Sequence, residues 1–288
     1  MSTPQPISSA LPANQRVIKL LVRQDVRDAQ RLDWLCENIA RNRFLPVPPS
    51  ENIFVGDGDF RAIGAEFLRH FVKLGDLRPT DKVLEIGCGI GRMAVPLTQY
   101  LTNGTYDGMD VVADGINWCS QNVTPAYPAF RFHHMDVAND LYNPQGRIDP
   151  NAVTLPFPDK GFDFILLTSV LTHLQGAETL AYAWEIARLL NPGGRCFLSL
   201  FLMNDTALEG LRSGDNRLTF NPDEVGPTWL ANAEVPSAAV AHDEEALLDM
   251  FASVGLKPAK PVIYGTWCGR PNAVSYQDLL VLEKVGSP

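Results

Sequence analysis

The stretch from Val83 to Arg92, VLEIGCGIGR, constrains the fold of this chain more than any other. A short apolar run interrupted by one acid, Glu85, ends at Gly87, and glycines recur at Gly89 and Gly91. The run reads as a buried strand. Glycines at alternate positions let the chain turn tightly and let a ligand come close to the backbone. In open α/β sheets, ligands bind outside the carboxyl ends of the strands, so this loop marks both a fold class and a place for a site.

The sequence on either side supports that class. Short apolar runs, KVLEIG, TYDGMD, FRFHHMD, FDFILLTS and RCFLSLF, read as five strands. Between them, Arg92–Leu101 and Ala113–Asn122 read as helices, as does the region around Glu178–Leu190, with Leu180, Trp184 and Ala187 on one face and NPGG as its stop. Strands alternating with helices predict a parallel sheet covered on both faces. Upstream, Gln15–Ala40 places Val17, Leu21, Leu32, Leu35 and Ile39 at helical intervals. FLPVPPSENIFVGDG then breaks the pattern. A helix follows from Phe60, with Phe60, Ile63, Phe67, Phe71 and Leu74 on one face and Gly75 as its C-cap. Residues 1–58 thus read as a helical extension and 59–288 as the main domain. Within it, Leu202–Ala241 is irregular and too long for an ordinary connection. It carries Phe220, Trp229 and Leu230, and is expected to form a lid. A helix at Glu244–Val254 and strands PVIYG and QDLLVLEK close the chain.

The glycine spacing discriminates between ligands. The dinucleotide fingerprint G-x-G-x-x-G needs a third glycine where Arg92 stands. Glu85, just before the first glycine, opposes a phosphate and suits a cation. A nicotinamide oxidoreductase would also want a hydride-site pair such as tyrosine and lysine, which the sequence lacks. Asp110 ends the second strand, nineteen residues past Gly91, where an acid can accept hydrogen bonds from ribose hydroxyls. Asp136 ends the third strand in HHMDV.

Taken in order across about Asp59–Leu200, VLEIGCGIGR, Asp110, Asp136, LPFPDKGFDFILLTSVLTHL and LLNPGGRCFLSL resemble the class I S-adenosylmethionine-dependent methyltransferases. The resemblance implies a Rossmann-like, doubly wound, seven-stranded α/β sheet whose last strand runs antiparallel. It implies S-adenosyl-L-methionine as cofactor, with Glu85, Gly87, Cys88, Gly89, Gly91, Asp110, Val111, Asp136, Val137 and Thr168 around it. In that family the acid at Asp136 accepts from the adenine amino group. A noncatalytic S-adenosylmethionine-binding module is the competing expectation.

The segment TSVLTH after the fourth strand lacks the [DN]-P-P-[YFW] of enzymes that methylate planar nitrogens, and only Glu178 lies where a paired-glutamate loop would be. Asn204 and Asp205 do not make a metal cluster, so no metal is expected. His173, a few residues past the fourth strand, reads either as a general base or as a residue packing or capping the next helix. His133 and His134 lie inside the third strand, where one of them is expected to face the core, and His70 and His242 read as structural. The runs VGDGDF to SVLTHL look most like enzymes of glycan and secondary-metabolite biosynthesis. The resemblance therefore implies O-methylation of a sugar or small-molecule hydroxyl.

Composition narrows the partners. The formal net charge is −9 and no run of Lys and Arg offsets it, which argues against nucleic acid. Five scattered cysteines show no metal spacing and suit a reducing compartment. The first fifteen residues lack a signal-peptide pattern, and the apolar run Val17–Val22 is too short to cross a membrane. A cytoplasmic location without membrane partners is the expectation.

Overall fold

The computed structural model describes residues 28–54, 56, 58–214 and 218–285. The helical turns expected around Val17 and Leu21 lie outside the described residues. Residues 28–41 are helical (α1), and Leu32, Cys36 and Ile39 turn inward from it. Helix α2 (Phe60–Lys73) starts at Asp59, whose carboxylate accepts the Ala62 N–H at 2.8 Å. Asp33 of α1 pairs with Arg69 and Lys73 of α2, each at 3.0 Å. Those pairs are solvent-accessible and contribute little. The apolar residues of α1 and α2 share one core with the sheet, and that burial holds the extension in place.

The chain then runs β1 (Lys82–Ile86), α3 (Ala94–Leu97), β2 (Thr105–Asp110), α4 (Ala113–Asn122), β3 (Phe130–His134), β4 (Phe162–Thr168), α5 (Gly176–Leu189) and β5 (Leu190–Leu200). It continues through β6 (Leu202–Met203), α6 (Asp205–Ser213), β7 (Asn221–Pro222), β8 (Thr228–Leu230), β9 (Val240–Asp243), α7 (Glu244–Ser253), β10 (Leu256–Pro258) and β11 (Asp278–Lys284). The main sheet has seven strands in the order β10-β11-β5-β4-β1-β2-β3. The first five strands of the chain are mutually parallel, and β11 runs antiparallel to β5, as expected.

Alternate residues of each central strand feed two cores. Leu84, Ile165, Leu198 and Leu280 enter one. Val83, Phe164, Phe197 and Leu279 enter the other. Side chains that point to opposite faces of a doubly covered sheet give the near-continuous apolar runs seen in the sequence.

Four local expectations are corrected. The helix expected over Arg92–Leu101 is regular only at Ala94–Leu97, because Pro96 removes a backbone donor. On α5 the buried stripe is Thr179, Tyr182, Ala183 and Ile186, while Leu180 and Trp184 are 37% and 58% exposed. Of the expected face only Ala187 is buried, because this helix carries apolar residues on two stripes and spacing alone does not say which one turns inward. The left-handed residue after α2 is Asp76, at φ 53°. Gly75 serves packing instead, since a Cβ there would lie 2.8 Å from the Phe164 ring. The sixth strand is Leu256–Pro258; from PVIYG only Ile263 bridges β11, at Leu279.

The insert is also more ordered than its sequence. It folds as a second sheet, β6-β9-β8-β7, over a small core of Phe201, Met203, Phe220, Trp267 and Cys268. Among the described residues, no helix is long and apolar enough to cross a membrane.

Candidate active site

Sheet order reverses around β1, which lies between β4 and β2, and a cavity of about 380 Å³ opens at the carboxyl ends of these strands. That volume falls in the range of about 300–1,000 Å³ usual for small-molecule sites. The loop after β1 forms its floor. Gly87 and Gly91 sit at φ 76° and 82°. A Cβ at Gly87 would strike Val170 Cγ2 at 2.3 Å, and one at Gly91 would press on Cys119 Sγ at 2.8 Å. Side chains are excluded from both positions by backbone conformation and by space.

Asp110 closes β2 and fastens the loop. Its carboxylate accepts the Gly89 N–H at 2.6 Å and the Val112 N–H at 2.8 Å. Burial pushes this carboxyl up, and the backbone donors hold it down. Glu85 lies beneath the loop, almost wholly buried, and the Tyr106 hydroxyl donates to it. Burial raises the Glu85 carboxyl to about 8, against the Tyr106 bond and the Arg92 charge. Arg92 borders the same cavity. Its Nη1 donates to the Gly56 carbonyl at 3.3 Å, but its buried Nε has no partner.

These features test the fit of S-adenosylmethionine. Its methionine end carries an ammonium and a carboxylate. The cavity is lined by the buried carboxyl of Glu85 and by the Arg92 guanidinium, so both charges find a complement. An acid at the end of β2 and a glycine floor complete a set that suits the group.

Most expected site residues are brought together. Glu85, Gly87, Cys88, Gly89, Asp110, Val111, Val137, Thr168 and His173 all line the cavity. Gly91 supports the loop from behind. Asp136 is directed elsewhere: its carboxylate takes Arg147 Nε at 2.5 Å and Asn143 Nδ2 at 3.2 Å. Among the described residues of Leu202–Ala241, none lines the cavity, and Phe220 and Leu230 are buried. The cover comes instead from Phe54 and Gly56 of the extension and from Asn139, Tyr142 and Pro150 after β3.

His173 ends a 3₁₀ turn, Leu171–His173. Its Nδ1 lies 2.7 Å from the Ser237 carbonyl oxygen. A carbonyl only accepts, so Nδ1 carries the proton and Nε2 keeps its lone pair. Burial lowers the His173 pKa and keeps the ring neutral. Capping of α5 falls to another residue, since the Gln175 N–H donates to Glu178 at 2.7 Å. His242, buried in β9, bonds the Leu171 carbonyl at 2.8 Å. The insert, through Ser237, and β9 at its end, through His242, therefore grip the His173 turn at two points.

Sequence reasoning missed Phe54, Arg92, Ser169, Tyr142 and Tyr182 on the cavity wall. Ser169 adopts φ 60°, a conformation that costs a non-glycine residue about 1–3 kcal/mol. The Ser199 hydroxyl accepts its N–H at 2.9 Å, and Gln277 Nε2 donates to its Oγ at 2.9 Å. Arg92 carried the one readable signal, as the residue that replaces a dinucleotide glycine. Among the described residues, no three His, Cys, Asp or Glu side chains cluster as a metal site.

Comparison with known proteins agrees with this geometry. Residues 58–257 match a family model described as a methyltransferase domain. A fatty-acid O-methyltransferase of Mycolicibacterium smegmatis is 34% identical over 113 residues, which cover 39% of this chain and 34% of that protein. The 27-O-demethylrifamycin SV methyltransferase of Amycolatopsis mediterranei is 30% identical over 127 residues, 44% of this chain and 41% of that one. The matches span about a third to two fifths of these relatives' lengths. The crystal structure of the PH0226 protein from Pyrococcus horikoshii OT3 shares the fold, with a TM-score of 0.56 at 17% identity, over 84% of this chain and 99% of that one. On the family match, the sheet order and the glycine loop together, this chain belongs to the class I S-adenosylmethionine-dependent methyltransferases.

Proposed function

We propose that this protein transfers a methyl group from S-adenosylmethionine to a hydroxyl oxygen of a small-molecule acceptor, with His173 as general base. The observation that carries the reading is the fixed tautomer of His173, which presents the Nε2 lone pair to the cavity. A carboxylate acceptor is ionised at neutral pH and needs no base. A poised neutral imidazole is of use when the acceptor holds a proton.

Glu85 and Arg92 would hold the methionine end, Asp110 the ribose hydroxyls, and Val111, Met135 and Val137 the adenine faces. Gly87, Cys88 and Gly89 would form the floor, with Thr168 at the β4 end of the wall. Because the Asp136 carboxylate is committed to Arg147, its part becomes support of the loop after β3. The cofactor, when bound, supplies an activated methyl on a sulfonium. The chain's own work is to position the acceptor, exclude water and take one proton. His173 Nε2 receives that proton, and the Ser237 carbonyl stabilises the imidazolium through Nδ1–H.

Val137, Ala138, Pro150, Val170, Leu174 and Tyr182 add apolar lining to the cavity that holds His173. The acidic and basic side chains of the cavity, Glu85, Arg92 and Asp110, stand in β1, on the loop after it and at the end of β2. An uncharged acceptor is favoured on this count, either a phenol or a sugar hydroxyl. The test is a turnover screen of phenols, free sugars, nucleotide-sugars and fatty acids, read as S-adenosylhomocysteine formed. Methylation confined to carboxylates or amines would overturn the reading.

A further inference from the structure

We propose that Tyr142 is a catalytic residue of this site, relaying the acceptor's proton to His173. This rests on the hydroxyl-transfer reading above. The Tyr142 hydroxyl lies 3.5 Å from His173 Nε2, and the two rings meet edge to face at 5.2 Å and 86°. Nδ1 is engaged by Ser237, so the Tyr142 hydroxyl is the donor and Nε2 the acceptor. Nε2 has a single in-plane lone pair. An acceptor hydroxyl cannot use it while Tyr142 does. The Tyr142 oxygen keeps lone pairs of its own, and both side chains line the cavity. The distance is long, as catalytic hydrogen bonds often are before the substrate binds.

Tyr142 is held for this place by a bracket in the loop after β3. Asn139 Oδ1 accepts the Leu141 N–H at 3.1 Å and the Tyr142 N–H at 2.9 Å. The backbones of Asn139 and Asn143 exchange two hydrogen bonds at 3.0 Å. Asp136 ties the base of the loop through Arg147 and Asn143. Tyr142 also borders an open groove lined by Phe54, Asp114 and Trp118. An acceptor arriving from that groove meets Tyr142 before His173. The other titratable groups on the cavity wall are Glu85, Cys88, Arg92 and Asp110 at the glycine-loop end and Tyr182 from α5.

The proton steps balance. The acceptor oxygen gives its proton to the Tyr142 oxygen as Tyr142 gives its own to Nε2. The acceptor's electron pair forms the new C–O bond. With the cofactor bound, the C–S pair would pass to sulfur and cancel the sulfonium charge. The imidazolium, with Nδ1–H on Ser237, then loses its proton to solvent.

Two arms test this on the full chain. Without acceptor, and with S-adenosylhomocysteine bound, ring-¹⁵N histidine spectra should show His173 protonated at Nδ1, with an Nε2 resonance that moves in Tyr142→Phe. An unmoved resonance would mean that the pair does not form, and the proposal would fall. The second arm measures turnover with catechol and methyl α-glucoside as probe hydroxyls. For whichever is methylated, Tyr142→Phe should lower kcat about 10²-fold or more. KM for S-adenosylmethionine should be unchanged, and the acid limb of the pH profile should be lost as in His173→Ala. A Tyr142→Phe enzyme at or above wild-type kcat would show that Tyr142 merely occupies Nε2. If His173→Ala itself turns over at full rate, the base assignment fails. If only Tyr142→Phe does, the relay alone fails.

Discussion

The Nδ1 atom of His173 lies 2.7 Å from the carbonyl oxygen of Ser237, sixty-four residues further along the chain. One hydrogen bond thus joins the end of the central sheet to the insert, and it fixes which ring nitrogen can act as a base. The insert braces His173 where a lid was expected. That difference changes what its removal should do.

If the insert is a brace, loosening it should lower kcat more than it raises KM. His242→Ala removes the bond to the Leu171 carbonyl, which keeps only the Leu174 N–H at 3.3 Å, at a cost of about 0.5–1.5 kcal/mol. We expect a lower unfolding midpoint, a reduced kcat and unchanged cofactor affinity by calorimetry. An elevated acceptor KM with kcat intact would favour a lid.

Glu85 gives a pH signature to cofactor binding. Its carboxyl, raised to about 8 by burial, is neutral across most of the physiological range until a cation approaches. Binding an ammonium favours the carboxylate, so binding should release a proton below pH 8, and affinity should rise with pH up to about 8. Stability of the free protein runs the other way. A carboxyl with a raised folded pKa contributes most below its unfolded value, 4.5, and that contribution is lost as pH rises through about 8. Glu85→Gln should flatten both dependences. Calorimetry in two buffers of different ionisation enthalpy would detect the proton.

Arg92 should matter to the cofactor's carboxylate. Arg92→Met keeps much of the side-chain volume and removes the charge. It should weaken S-adenosylmethionine binding by about 1.5–3 kcal/mol, the worth of a charge-assisted hydrogen bond. Equal affinity in the variant would mean that Arg92 does not hold the cofactor's carboxylate.

Asp110→Ala removes both the proposed ribose acceptor and the clasp on Gly89 and Val112. Loss of cofactor binding should therefore come with some loss of stability. Asp110→Asn separates the two in part, because its single amide oxygen can still accept from Gly89 or from Val112 but not from both. It should lose less stability than Asp110→Ala and bind the cofactor poorly. Tight binding by Asp110→Asn would remove the carboxylate from the ribose contact.

Much of this was legible in the sequence because it depended on local pattern. Strands buried on both faces write continuous apolar runs, as FDFILLT does in β4, and the glycines at 87 and 91 mark positions where no side chain fits. What escaped depended on contacts distant in sequence. Nothing near Ser237 says that its carbonyl meets His173. Nothing in HHMDV says that Arg147 will claim Asp136. Tyr142 sits in a turn of Asn, Asp and Pro that reads as plain loop. The insert defeated pattern reading because strands of two to four residues are too short to show periodicity.

The role of His173 as base is tested by the pH–rate profile of acceptor methylation, in wild type and in His173→Ala, with the hydroxyl acceptor that the screen identifies. Burial lowers the pKa of His173, so the wild-type profile should show an acid limb with its midpoint below 6.5. His173→Ala should lose that limb and fall about 10²–10⁴-fold in kcat while binding S-adenosylmethionine as wild type does. A variant that turns over at the wild-type rate with the same profile would contradict the account.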